Sequence, residues 1–141
     1  VIAREELNRQ ILKINQQLIT CAPTLLQLYC ERYFDQILDH SLPQARNVVK
    51  KRTAIAAYMD TLGLEYLRGM STFYFLVDIQ GSGKGSIEFA EWLLNEHGIA
   101  VVPGVYYGEN TDRFIRVGVG TEPEDRICQA LLTIRSAITR C

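Results

Sequence analysis

The hydrophobic period changes near residue 70, and that switch constrains the fold more than any other feature of the sequence. Before it, apolar residues recur at three- and four-residue spacing; after it, residues 72–79 (TFYFLVDI) form a run of aromatic and branched side chains. The first pattern gives a helix one apolar face, and the second suits a buried strand. A chain carrying both must lay helices on a small sheet, because each element has an apolar face to cover.

Leu7, Ile11, Ile14 and Leu18 share a helical stripe, with Glu5, Arg9 and Lys13 between them, and a stop is expected near Thr20-Cys21-Ala22-Pro23. Pro23 is tolerated in the first turn of a second helix, whose stripe is Leu26, Tyr29, Cys30, Tyr33 and Ile37. Ser41-Leu42-Pro43 predicts a break. A third helix then turns Ala45, Val48, Val49, Ile55, Ala56 and Met59 inward and Arg46, Lys50, Lys51 and Arg52 mostly outward, ending at Gly63. Beyond the strand at 72–79, Ser86 is placed to cap a helix with Ile87, Phe89, Ala90, Leu93 and Leu94 inward. His97 falls in its last turn and Gly98 just past its end. A short strand at 99–102 runs into Pro103-Gly104, and another covers 113–119. Thr121 and Glu124 have capping-box spacing ahead of a last helix with Ile127, Leu131, Ile134 and Ile138 inward. The fold class is α+β: a small, mostly antiparallel sheet of about three strands covered by helices, with a helical N-terminal part. The last two strands are expected to be antiparallel, and the first pairing is open to either sense.

Composition removes several functions. With 15 Lys+Arg against 16 Asp+Glu, the chain lacks the basic surplus of a nucleic-acid or anionic-membrane binder. Its longest apolar stretches, such as IAVVPGVYY, fall well short of the ~20 residues a membrane span needs. VIAREELNRQ has no signal-peptide core, so a cytoplasmic location is expected. The absence of an initiator Met is expected of a piece cut from something longer. Cys21, Cys30, Cys128 and Cys141 are widely spaced without C-x-x-C, and His40 and His97 make no H-x-x-x-H pattern. Free thiols are expected, and no metal site.

Three segments carry candidate chemistry. The loop 81–86 (GSGKGS) has a superficial likeness to a phosphate-binding loop, but Gly85 stands where a hydroxyl is needed after Lys84, and Asp78 where the first Gly is needed. A plain strand-to-helix loop is the better reading. In 114–119 (FIRVGV), alternation puts Ile115, Val117 and Val119 on one face and Phe114, Arg116 and Gly118 on the other. Gly118 leaves open space beside Arg116, whose guanidinium suits a carboxylate held by two parallel hydrogen bonds. That carboxylate is either a ligand's or an Asp or Glu on the same sheet face. Pro103-Gly104 with Tyr106, Tyr107 and Gly108 forms a turn with exposed aromatic edges. No Ser or Cys accompanies either His, so no nucleophile–base pair is nominated.

Taken together, FYFLVDI, EFAEWLLNEHGIAVVPGVYYGE and RFIRVGVGTEPEDRICQALLTI resemble the C-terminal small domain of class I/II (fold-type I) aminotransferases, which depend on pyridoxal phosphate. That family has an aromatic strand ending in an acid, a helix, a strand ending in Pro-Gly, an aromatic-Gly step and a strand with one Arg. Pro103-Gly104, Tyr107-Gly108 and Arg116 stand at those positions. Leu12-Lys13-Ile14, then Ala22-Pro23 with Gln27, are similar to the stretch where the large domain hands over to the small one. The resemblance divides the chain into a helical lead-in, 1–40, and the small domain, 41–141. One departure is Met70-Ser71-Thr72, where the family has Pro or Gly. The other is the cofactor lysine, which lies upstream of Val1 in the family; Lys13, Lys50, Lys51 and Lys84 match none of its motifs.

The resemblance implies that Arg116 binds the α-carboxylate of an amino-acid or 2-oxo-acid substrate, within a homodimer completed by the large domain. No catalytic, cofactor-binding or metal residue is expected in this chain, which should neither bind pyridoxal phosphate nor react alone. Two alternatives are a free-standing, non-catalytic module binding a small acid or a protein partner, and the same domain from a lyase or acyltransferase.

Overall fold

A computed structural model describes residues 3–138, so Cys141 lies outside the described residues. The chain divides into two units, Val1–Pro43 and Gln44–Cys141. In the first, α1 (Glu5–Leu18) begins with Glu5 and Glu6, which suit the positive end of a helix dipole. None of its residues is buried. The helix α2 (Thr24–Leu62) carries Pro43 inside it, so the break expected at Ser41-Leu42-Pro43 does not occur. Tyr33 is the residue that leaves helical geometry, at φ −118° and ψ 19°. Proline removes one N–H from a helix and strains the preceding turn without always ending it. Here the Ser41 hydroxyl donates to the Ile37 carbonyl at 2.7 Å within that turn.

In the unit Gln44–Cys141, α2 joins the core only from its later turns. Ala45 and Val49 are exposed, contrary to expectation, whereas Ile55 and Met59 are buried. Lys51 and Arg52 also depart from the expected outward face. Lys51 Nζ donates to the carbonyls of Gly120 (3.0 Å) and Glu122 (2.8 Å), and the Arg52 guanidinium lies 4.2 Å from the Phe75 ring centre. Long alkyl stems let both cations cover apolar surface while their heads stay near its edge.

The sheet contains β1 (Tyr74–Asp78), β2 (Val102–Pro103) and β3 (Phe114–Gly118) in the order β1-β3-β2, with both pairings antiparallel. The strand expected at 99–102 is therefore shorter and later: the Ile99 N–H still bonds the Leu93 carbonyl at the end of the preceding helix. Phe75, Val77 and Ile79 of β1 and its end join Ile115, Val117 and Val119 in the core, as alternation requires.

Helix α3 (Ser86–His97) buries Ser86, Phe89, Ala90 and Leu93, the i, i+3, i+4, i+7 set. Ile87 and Leu94, expected inward, are exposed because they lie one residue off that stripe. Gly98 caps the helix at φ 65°, as the sequence indicates, and its N–H bonds the Leu94 carbonyl. Helix α4 (Glu124–Ile138) buries Ile127, Leu131 and Ile134. Its first bond runs from the Ile127 N–H to the Pro123 carbonyl, so Pro123 rather than Thr121 occupies the cap position. Fully burying each of these large side chains is worth about 1.5–3 kcal/mol. No helix among the described residues is long and apolar enough to cross a membrane.

Candidate functional site

The core occupies one face of the sheet, and Arg116 stands at the middle of β3 on the other. Its direct cross-strand neighbours are Leu76 on β1 and Val102 on β2, both apolar. The guanidinium Nη1 donates to the Tyr107 hydroxyl at 2.6 Å. The rings of Tyr74 and Tyr107 lie 5.2 and 5.8 Å from the guanidinium carbon, within cation–π range. Arg116 Nε is buried and has no hydrogen-bond partner among the described residues. Among the described residues no carboxylate pairs with Arg116, and the ion pair on this side of the sheet belongs to Arg113, whose Nε donates to Asp78 Oδ2 at 2.9 Å. Among the described residues, then, no Asp or Glu takes the second role that the sequence leaves open for the Arg116 carboxylate. A Cβ added at Gly118 would meet nothing within 4 Å, so the space beside Arg116 is open.

Tyr107 reaches Arg116 from a tight turn, Gly104–Tyr107. A Cβ at Gly104 would lie 2.1 Å from the Thr111 carbonyl oxygen and 2.3 Å from that of Phe114, so only glycine fits this backbone crossing. Thr111 Oγ1 is 2.7 Å from Gly104 O and 2.6 Å from Gly108 O, and shares its single hydrogen between them. Asp112 Oδ1 accepts from the Ser86 N–H (3.0 Å) and the Ser86 hydroxyl (2.7 Å). These two bonds hold the Asp112 carboxyl below its ordinary pKa, despite an opposing desolvation effect. Ser86 is therefore the first residue of α3 and the recipient of a cap, with Gly85 at the cap position.

The same arrangement rules on the GSGKGS loop. A phosphate-binding loop aims helix-N-terminal amides at an anion; here the Asp112 carboxylate holds the amide of Ser86, and Lys84 pairs with Glu88. A cavity of about 440 Å³ lies between α3 and α4, walled by Phe89, Trp92 and Leu132, but its lysine is that same engaged Lys84. Chemistry singles out the Arg116 face, where a cation lacks an acid. The sequence alone misses Tyr107 and Tyr74 as Arg116 partners. Tyr74 was within reach of alternation, since it shares a sheet face with Arg116; Tyr107 needed the folded turn.

Known proteins share this plan. Residues 1–131 match the family described as aminotransferase class I and II. This chain belongs to the class I and II aminotransferases. A (5-formylfuran-3-yl)methyl phosphate transaminase of Methanocaldococcus jannaschii is 26% identical over 126 residues, covering 89% of this chain and 33% of that protein. A solved Methanococcus jannaschii structure, described as similar in its active site to kynurenine aminotransferases, aligns at 25% identity with TM-score 0.73, over 97% of this chain and 36% of that one. An aminotransferase from Mycobacterium tuberculosis shares the fold at TM-score 0.77 and 20% identity, covering 96% of this chain and 36% of that one. The aminotransferase chain described here thus spans about a third of the length of such relatives.

The family uses pyridoxal phosphate. The residues of this aminotransferase chain do not by themselves fit that group. Lys51 is bonded to two carbonyls, Lys84 to Glu88, and Lys50 is exposed on α2. At the α3 N-terminus, the Ser86 amide is already held by Asp112.

Proposed function

We propose that this chain is the C-terminal part of a pyridoxal-phosphate-dependent aminotransferase, moving an amino group between an amino acid and a 2-oxo acid. In this reading Arg116 holds the substrate's α-carboxylate. The observation that carries it is a half-buried guanidinium, fixed by Tyr107 on a strand, with no carboxylate of its own and open space beside it. Such a group is pre-organised for two parallel charged hydrogen bonds. Its work is orientation: clamping the carboxylate sets which way the rest of the substrate faces, and correct placement can supply several kcal/mol of a barrier. The apolar flanks Leu76 and Val102 strengthen the clamp by keeping competing acids and some water away. The chemical step is assigned to residues of the whole enzyme outside this chain.

In the whole enzyme, Arg116→Ala is expected to lower kcat/KM for α-carboxylate substrates by about 10²–10³-fold, or about 3–4 kcal/mol, while cofactor absorbance is retained. Unchanged kcat/KM would remove Arg116 from this role. The unaltered whole enzyme, assayed with several amino acids and 2-oxo acids, separates transamination from lyase or acyltransferase chemistry.

A further inference from the structure

We propose that Asp112 is a positioning residue for Arg116, acting through Ser86 and the Gly104–Tyr107 turn. The proposal rests on the reading of Arg116 as the carboxylate holder and extends it to what keeps that guanidinium aimed.

Tyr107 is half exposed, so packing alone does not fix its hydroxyl. Hydrogen bonds from outside the turn do. The Val105 N–H donates to Ser86 Oγ at 3.2 Å, and Val105 lies two residues before Tyr107. Ser86 is fully buried on α3, which gives the turn a fixed anchor. A hydroxyl has one hydrogen and two lone pairs, so which way it faces depends on its acceptor. Asp112 Oδ1 takes that hydrogen at 2.7 Å, leaving a lone pair for Val105. The carboxylate also bonds the Ser86 N–H, where the dipole of α3 favours negative charge. A relay therefore runs from Asp112 to Ser86, to Val105, and through the turn to the Tyr107 hydroxyl on Arg116 Nη1. Thr111 and Gly104 close the other side of the loop, so the turn has little room to compensate elsewhere. Without Asp112, the buried Ser86 hydroxyl is free to rotate away from Val105. Tyr107 then loses its register, and Arg116 samples geometries that bind a carboxylate less well.

The test is steady-state kinetics of the whole enzyme carrying Asp112→Ala, Ser86→Ala, Tyr107→Phe, the double variant Asp112→Ala/Tyr107→Phe, and Asp112→Asn. Each of the first three is expected to raise KM for the amino-acid substrate about tenfold, with kcat within about twofold. The double variant is expected to match Tyr107→Phe alone, since both act on one path. Asp112→Asn keeps an acceptor oxygen and is expected to recover most of the affinity. A lowered Tm with unchanged KM in Asp112→Ala, or KM effects that multiply in the double variant, would overturn the proposal. If Asp112→Ala does not fold, Ser86→Ala combined with Tyr107→Phe supplies the same cycle. Arg116→Ala run alongside separates the two ideas. If it leaves kcat/KM unchanged, the reading of Arg116 fails; if it is crippled while Asp112→Ala is silent, only the relay fails.

Discussion

Arg113 and Arg116 stand three residues apart and meet different surroundings, and the register of the sheet explains why. Asp78 pairs with Phe114, next to Arg113, and the two form an ion pair. Arg116 is opposite Leu76 and Val102, so neither cross-strand neighbour is an acid, and among the described residues its hydrogen bond goes to the Tyr107 hydroxyl. One strand thus makes one Arg structural and leaves the other available. A second residue, Thr72, bears on the edge of this region. It adopts φ 73°, a left-handed conformation that a β-branched residue takes at a cost of about 1–2 kcal/mol. Thr72 ends the Met70-Ser71-Thr72 segment, where the resemblance has Pro or Gly, and a positive φ is a conformation that glycine adopts without this cost. Thr72→Gly is expected to stabilise the chain by about 0.5–1 kcal/mol, less than the full strain because glycine loses more entropy on folding. Denaturant unfolding measures this, and a loss of stability would show that the Thr72 hydroxyl bond to the Tyr74 carbonyl outweighs the strain.

At the scale of elements, α3 links the core to the turn that carries Tyr107. Phe89 and Leu93 are buried against the sheet, and Ser86 on the same stripe anchors Val105. Phe89→Ala is expected to cost about 3–5 kcal/mol, whereas Ile87→Ala, at an exposed position, should stay within about 0.5 kcal/mol. Equal losses in thermal unfolding would return Ile87 to the core stripe. The sequence held both residues as apolar and could not rank them, because a helix rich in apolar side chains fits two stripes one residue apart. Strand alternation was less ambiguous: a period of two puts Ile115, Val117 and Val119 together and leaves Arg116 opposite them. The Pro43 reading failed for a physical reason as well. Proline disfavours a helix locally, but the rest of α2 outweighs one missing N–H. Contacts between residues far apart in sequence, such as Asp112 with Ser86, lie beyond any local pattern.

At the scale of the molecule, the chain covers about a third of its relatives' length and holds a three-stranded sheet, a buried core and the Arg116 face. What it does not hold is a lysine placed for cofactor chemistry. A lysine becomes selectively reactive towards an aldehyde when its surroundings single it out, by desolvation or a neighbouring cation. Here Lys51 Nζ is bonded to the carbonyls of Gly120 and Glu122, Lys84 is paired with Glu88, and Lys13 and Lys50 stand exposed on helices. None of these settings favours one amine over the rest. Treating this chain alone with pyridoxal phosphate and borohydride is therefore expected to spread label over several lysines, with no site saturating first. Peptide mapping by mass spectrometry reads the distribution directly. A single lysine carrying nearly all the label at low reagent would mean that this chain builds a cofactor pocket of its own. The proposed division of labour, with Arg116 here and the chemical step outside this chain, would then have to be redrawn.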